Sequence, residues 1–302
     1  MTARAPRSLA KGFVERLLAS WGPAAASRRL RRGRAVILAY HNVVPTGERP
    51  IGDASLHLPQ ERFAEQLDIL AELFEVVPLA EALQAPRGDR PRAAITFDDA
   101  YAGALHAGRA ELVVRGMPAT MFVTPGLLGG RTFWWDATAS RSNSGWRKAA
   151  MERAGGHPDR VRDLWQQAGN RWTEMPPYAR SGDAGAVDAF AGTPGATIGA
   201  HGWVHLDLTR VSPRERATEL ARPLSWLAER EATVPMVAYP YGSCTRMVAA
   251  EARSTGYRSG LRASGGWLPP PPLTQPLLAP RLNIPAGVSP DGFRIRVSGI
   301  RG

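Results

Sequence analysis

Two acids stand side by side at Asp98-Asp99, and two histidines stand four residues apart at His201 and His205. Two imidazoles and one carboxylate form a donor set for a divalent cation that leaves positions open for water and substrate. A second carboxylate beside that set has a different use, as the group that accepts a proton from an attacking water. Adjacent carboxylates repel each other, and a helix start needs only one of them as its cap. A lone His-x-x-x-His is a weak signal, equally at home on a surface helix. On a helical turn, that spacing puts both imidazoles on one face. The strand-terminal Asp-Asp pair gives it weight.

The elements that must position these residues are legible as short β-forming runs separated by helical periodicity. The runs are Ala35–Tyr40, Phe74–Leu79, Ala93–Phe97, Ala119–Val123, Ala196–Ala200, Pro235–Tyr239 and Tyr257–Leu261. Several are apolar on both faces, as parallel strands covered by helices are. Helical patterns fill Gln60–Leu73, Ala102–Arg115 and Pro213–Arg230, the last opened by Ser212 as N-cap ahead of a proline. Alternation of this kind predicts an α/β fold with a mostly parallel sheet. Four of the runs end in residues able to do chemistry: His41, Asp98-Asp99, His201 and Pro240-Tyr241-Gly242. The C-terminal edge of a parallel sheet or barrel is where active sites are built, so the four ends point to one assembled site. Residues 129–194 break the rhythm and read as an inserted, partly helical cap. The Pro-rich stretch Ser264–Pro280 reads as an extended loop, since each proline removes a backbone donor.

Composition narrows the classes. The chain has 302 residues, 44% hydrophobic and 22% charged, and no apolar run approaches the ~20 residues needed to span a bilayer. A single cysteine, Cys244, excludes an internal disulfide framework and a Cys-rich zinc site; Cys244 is not read as a nucleophile. The net charge of +11 is concentrated in residues 1–34, which carry nine arginines and lysines against Glu15 alone. That stretch is read as a basic N-terminal arm, with residues 35–302 as the catalytic domain. Within the arm, Leu9, Phe13, Leu17 and Leu18 share one face of a helix over Ser8–Trp21, which suits peripheral contact with an anionic membrane surface. No nucleic-acid-reading motif accompanies the charge, so no nucleic-acid partner is expected.

Three motifs in order, ITFDDAY (Ile95–Tyr101), HGWVH (His201–His205) and YPYG (Tyr239–Gly242), with ATMFVT (Ala119–Thr124), resemble the polysaccharide deacetylase family (NodB-like, carbohydrate esterase family 4). AYHNV (Ala39–Val43) is similar to the start of the subgroup containing deacetylases of biofilm poly-N-acetylglucosamine. The resemblance implies a distorted (β/α) barrel and a metal-dependent hydrolase that removes N-acetyl groups from a sugar in a polysaccharide, glycolipid or glycan precursor. By position it makes Asp98 the general base and Asp99, His201 and His205 the ligands of a divalent metal, zinc before cobalt or nickel. The backbone N–H of Tyr241 becomes an oxyanion donor. No histidine follows His205, so His41 is the candidate acid. Trp134, Trp135 and Pro240 are candidate substrate contacts, the tryptophans either stacking on sugar or packing the cap onto the barrel.

The chain departs from the family pattern in three places. Ala100 replaces the usual glycine, Ala238 replaces an arginine that pairs with the base unless another such as Arg281 supplies it, and no Asp-rich motif lies near Gly265-Gly266-Trp267. Two rival readings stand beside this one: a related C–N hydrolase acting on a small amide, since the same constellation can cut non-sugar amides, and a catalytically silent carbohydrate-binding protein of a glycan pathway, suggested by the missing arginine and the missing late histidine. His57, His106 and His157 lie off the strand ends and are read as surface or structural. The chain is expected in the cytoplasm, peripheral at the inner membrane face.

Overall fold

The computed structural model describes residues 23–84, 89–139 and 144–300. The amphipathic segment Ser8–Trp21 lies outside the described residues.

The described residues hold ten strands in chain order, several of them apolar runs: β1 (Ala35–Tyr40), β2 (Asn42–Val44), β3 (His57–Pro59), β4 (Glu75–Val76), β5 (Arg92–Phe97), β6 (Ala119–Val123), β7 (Ala196–Ala200), β8 (Thr233–Ala238), β9 (Ser259–Gly265) and β10 (Ala279–Asn283). The main sheet runs β1-β10-β9-β8-β7-β6-β5 with every pairing parallel, and β1 also pairs with β5, so seven strands close into a barrel. The expected (β/α) barrel is therefore what the chain forms. β4 lies alongside the start of β5, and β2 pairs with β3 as a separate ribbon.

Side chains alternate between the two faces of the barrel wall. One set, including Val36, Leu38, Ile95, Phe97, Met121 and Val123, packs outward against the helices. The other, including Ile37, Ala94, Phe122, Ala238, Leu261 and Ala279, fills the interior. Three of these six are alanines, which leaves room inside for one fully buried arginine, Arg281 on β10.

The sequence expectations hold for β1, β5, β6 and β7. Phe74–Leu79 contributes only two strand residues, because Pro78 opens the next short helix, Leu79–Ala82. The Pro-rich segment is shorter as a loop than expected. β9 extends into its start, and a further strand, β10, begins within its end, at Ala279. That strand is five residues long with an arginine at its centre, so it carries no apolar run to announce it. Gln60–Leu73 and Pro213–Ala228 are helices as expected, and Ser212 makes a full capping box with Glu215. Ala102–Arg115 contains a π-helical turn at Ala104–Gly108 before the α-helix Arg109–Arg115.

The insert follows β6 and holds helices Trp134–Ala137, Ser144–Ala154 and Pro158–Gln167. Among the described residues of 129–194 there is no strand, only an isolated bridge from Ser181 to Tyr101. The helix Pro23–Leu30, at the end of the basic arm, packs on the last helix, Pro290–Ser298, with Ser27 Oγ donating to the Ser298 carbonyl at 2.8 Å. Because β1 begins at Ala35, this segment enters at the N-terminal end of the barrel, opposite the strand ends that carry the polar residues.

Candidate metal centre and active site

Strand register sets the site. Tyr40 is level with Phe97, so His41 and Asp98 are the next residues on neighbouring strands, and the Asp98 N–H donates to the Tyr40 carbonyl at 3.0 Å. Val123 is level with Ala200, and the His201 N–H donates to the Val123 carbonyl at 2.8 Å. The barrel thus delivers Asp98, Asp99 and His201 to one mouth, where all three are buried.

Asp99, His201 and His205 converge there, with one ligand atom from each lying within 4.8 Å of the others. Asp99 Oδ1 is 3.5 Å from His201 Nε2 and 3.3 Å from His205 Nε2, and the two Nε2 atoms are 3.1 Å apart. His201 Nδ1 must carry its proton, because it contacts the Ala238 carbonyl at 2.8 Å and a carbonyl can only accept. Its Nε2 lone pair therefore faces the cluster, the arrangement that orients a metal-binding imidazole. The histidines are not on a helical turn, as expected from their spacing. They sit on a loop, with Gly202 at φ 74° and His205 at φ 64°.

The charge balance of this cluster asks for a cation. No hydrogen-bond donor reaches the buried Asp99 Oδ1 among the described residues. Burial, then the neighbouring Asp98 and Asp136, push the Asp99 carboxyl well above its ordinary range. Burial pushes both imidazoles down, His205 strongly, so neither offers Asp99 a positive charge. A carboxyl that holds its proton more tightly than usual thus stands between two neutral imidazoles that aim nitrogen atoms at it. A divalent cation resolves that arrangement, and the donor set of two nitrogens and one oxygen suits zinc and its neighbours in the transition series.

Asp98 is handled differently. Arg281 grips it with two bonds, Nη1 to Oδ1 and Nη2 to Oδ2, both 2.7 Å. The remaining guanidinium bonds go to Thr96 Oγ1 at 3.1 Å and the Arg262 carbonyl at 3.1 Å. Although burial opposes it, the charge of Arg281, with help from His201, holds the Asp98 carboxyl well below the usual carboxylate range. The cation absent at Ala238 on β8 is thus supplied from β10, two strands round the barrel by way of β9.

Asp98 Oδ2 stands 3.9 Å from His201 Nε2, beside the ligand cluster without joining it. His41, at the end of β1, feels Asp98, Arg281 and His201; burial, the largest influence, lowers its pKa to about 4. Tyr241 takes φ 58° at the turn after Pro240, and its backbone N–H makes no hydrogen bond among those found in the described residues.

Strain concentrates here. Five non-glycine residues in the described chain have left-handed φ, and four of them, Asp99, Ala100, His205 and Tyr241, belong to the site. Each costs roughly 1 kcal/mol, and such residues persist where surrounding contacts over-determine them. The methyl group anticipated at Ala100 is accommodated at φ 59°, fully buried.

One of those over-determining contacts escaped sequence reasoning. Glu219, on the helix Pro213–Ala228, reaches under the histidine loop and accepts from the backbone N–H groups of Trp203 (2.9 Å), Val204 (3.0 Å) and Leu206 (3.3 Å). A Cβ on Gly202 would lie 2.7 Å from Glu219 Oε2, so the loop needs glycine there. The helix position of Glu219 carries no sign of this role, since exposed helical glutamates are common.

The tryptophans are not exposed platforms. Trp134 and Trp135 are buried, with indole N–H groups donating to Tyr241 Oη (3.1 Å) and Tyr101 Oη (2.7 Å). The Trp135 ring lies 4.7 Å from that of His205, so the pair packs the insert onto the metal cluster. Pro240 is likewise buried, with its ring beside Gly202 rather than open to ligand. His57 is structural as expected. Asn42 Nδ2 donates to its Nδ1 (2.9 Å), and its Nε2 donates to Asp136 Oδ1 (2.9 Å), which also anchors the insert. Cys244 is half-buried, and burial raises its thiol to about 11, which agrees with its exclusion as a nucleophile.

Residues 186–260 match the family model described as polysaccharide deacetylase, a span that holds HGWVH and YPYG. No curated protein matches the chain. Among solved structures it is similar to a polysaccharide deacetylase from Bacillus cereus (13% identity, TM-score 0.61, covering 88% of this chain and 69% of that one). It is also similar to IcaB from Ammonifex degensii (18% identity, TM-score 0.58, 88% and 96% covered) and to the Streptococcus pyogenes deacetylase PplD in complex with acetate (17% identity, TM-score 0.55, 86% and 96% covered). The resemblance read from the motifs is borne out, and at these identities the structural likeness establishes the fold.

Two outcomes are expected. Glu219→Gln keeps the size of the side chain but turns an amide donor toward backbone donors. It should weaken zinc binding 10- to 100-fold, the scale of supporting-shell losses, and lower the metal-free melting temperature, because buried backbone donors lose their acceptor; calorimetric titration with zinc reads the first and thermal melts the second. Zinc binding should also release a proton, because Asp99, raised in the free protein, must give one up. Its affinity should therefore rise with pH, checked by titration at several pH values in buffers of different ionisation enthalpy.

Proposed function

We propose that this chain, a member of the polysaccharide deacetylase fold, is a metal-dependent hydrolase that removes N-acetyl groups from an N-acetylated sugar in a polysaccharide, glycolipid or glycan precursor. The observation that carries the reading is the pairing of two buried carboxylates with opposite surroundings. Asp98 is clamped and ionised, whereas Asp99 is uncompensated and set between two neutral imidazoles. Asp99, His201 and His205 would hold the ion, with zinc the best fit to the donor set. When bound, such an ion polarises an amide carbonyl and acidifies water.

The protein's own groups do the rest. Asp98, oriented by Arg281, accepts the proton of the water that attacks the acetamide carbon. The Tyr241 N–H, turned by its left-handed backbone, donates to the oxygen on which negative charge develops. The resting His41 is neutral at pH 7, so it acts as acid only after receiving a proton. Asp98, on the adjacent strand end and electrostatically coupled to His41, is the group assigned to pass it on. The proton taken from water thus ends on the departing amine, and the carbonyl carbon leaves as acetate.

Of the rival readings, catalytic silence rested on the missing arginine and the missing late histidine. Arg281 takes the first role by pairing with Asp98 in space, and we assign the second to His41, which feels Asp98 and His201. The basic arm fits peripheral attachment to an anionic inner membrane face. Leu30 and the arginines Arg29 and Arg32 are exposed where it joins the barrel, at the end away from the site. Attached there, the mouth would face the aqueous phase.

The direct test is acetate release from N-acetylated oligosaccharides with zinc, cobalt or nickel present. Asp98→Asn should lower turnover about a thousandfold with zinc affinity kept, whereas Asp99→Asn should lose the metal; full activity in Asp98→Asn sinks the role assigned to it. Arg281→Lys keeps the charge but loses the two-pronged grip. Asp98 should then titrate higher, and the acidic limb of the pH–rate profile should move up. An unmoved limb would show that Arg281 does not govern the base.

A further inference from the structure

The insert frames an open cavity of about 350 Å³ that no residue of the proposed chemistry explains. Its walls are the segment that leaves the C-terminal end of β6 and the helix Pro158–Gln167 with the chain that follows it. β6 lies between β5, which carries Asp98 and Asp99, and β7, which carries His201, so the cavity sits on the rim of the same mouth. Trp134 and Trp135 line it and also touch the site, Trp135 against His205 and Trp134 through Tyr241. One layer of aromatic rings separates the cavity from the metal ligands.

Its chemistry is particular. Trp172 is half-buried with the Arg162 guanidinium 5.1 Å above its ring. Around the rim stand Arg131 and Arg162 against Asp159 and Glu174, two charges of each sign, and Thr132 Oγ1 donates to Glu174 Oε2 at 2.7 Å. The lining therefore carries no net charge, although the chain as a whole carries +11. A phosphate or polyanion would meet two carboxylates there. A neutral ligand with many hydroxyl groups meets donors and acceptors alternately, with aromatic side chains for its C–H side. The volume falls at the lower end of the range for ligand pockets and matches a short sugar segment rather than an extended chain.

We infer that this cavity is a saccharide subsite, holding a neutral sugar unit of the same glycan that presents its acetamide at the metal cluster. The inference rests on the deacetylase reading and deepens it, since it makes the substrate an oligomer held at two points rather than a free monosaccharide. Trp172, with Arg162 against its ring, supplies an aromatic wall, and Glu174 and Arg162 orient the hydroxyl groups.

The experiment compares N-acetylglucosamine with its oligomers up to the pentamer, in wild-type protein, Trp172→Ala and Glu174→Gln. Wild type should show kcat/KM rising with length. Trp172→Ala should lose about tenfold on the pentamer, through KM, and leave the monomer unchanged. Glu174→Gln, a near-isosteric surface change that leaves the fold intact, should show a smaller loss of the same kind. Equal activity at all lengths, or a loss shared by monomer and pentamer, overturns the subsite and leaves the deacetylase standing. Tryptophan fluorescence titration of Asp98→Asn with the pentamer gives a second readout without turnover. If no acetylated sugar is hydrolysed, saturable quenching that vanishes in Trp172→Ala upholds the cavity as a sugar site while the deacetylase reading falls. Absence of quenching overturns the cavity.

Discussion

Two neighbouring carboxylates are buried in one barrel mouth, and the protein supplies a cation to only one of them. An ionised acid taken from water into a protein interior is strongly destabilised unless it is paired or bound to metal. Arg281 meets that need for Asp98 and makes four hydrogen bonds within the barrel interior. Asp99 is left with two imidazoles that burial keeps neutral. The asymmetry divides labour between two chemically identical side chains, one kept ionised and oriented, the other kept available for an external charge.

That division depends on backbone shape as much as on charge. Asp99 and Ala100 both turn left-handed just after β5, which is how adjacent residues come to face different partners, Asp98 toward Arg281 and Asp99 toward the histidines. His205 is left-handed as well, and Glu219 holds the N–H groups on both sides of it. The carboxylate of Glu219 suits this task better than a neutral acceptor, because ionised acceptors form the stronger hydrogen bonds. Burial pushes its pKa up while the three N–H groups pull the other way. The histidine loop is thus shaped before any ligand arrives, and the cost of ordering it falls on folding rather than on binding.

Much of this was legible beforehand, and the failures have physical reasons. The strand ends announced themselves because a parallel strand buried on both faces must be apolar throughout, so a polar residue directly after it stands out. The closing strand β10 did not, since its central residue is Arg281 and its first turns lie among prolines. That same arginine answers the gap at Ala238, which shows that a missing residue in a linear motif can be replaced from elsewhere in space. Spacing alone misassigned HGWVH to a helical turn. Gly202 was the visible hint of a loop, and Glu219 the invisible cause of its shape. Trp134 and Trp135 looked like sugar platforms from their type, but their indole N–H groups found buried phenol partners, which draws such rings inward.

The insert is joined to the site by a buried polar chain as well as by aromatic packing. Asp136 is buried and accepts from His57 Nε2, from Tyr101 Oη at 2.7 Å and from the Asp53 N–H at 2.9 Å. Asn42 completes the chain by donating to His57 Nδ1, so the imidazole has a defined proton position and Asp136 sees a donor from each direction. Tyr101 also receives the Trp135 N–H, and Trp135 rests on His205. A displacement of the insert must therefore break a satisfied buried network or move a ring that packs on a metal ligand, and both are costly in a low-dielectric interior. This rigidity is what an aromatic wall between a binding cavity and a catalytic centre needs, because a loose wall would let a held substrate drift by the ångström that separates productive from unproductive geometry.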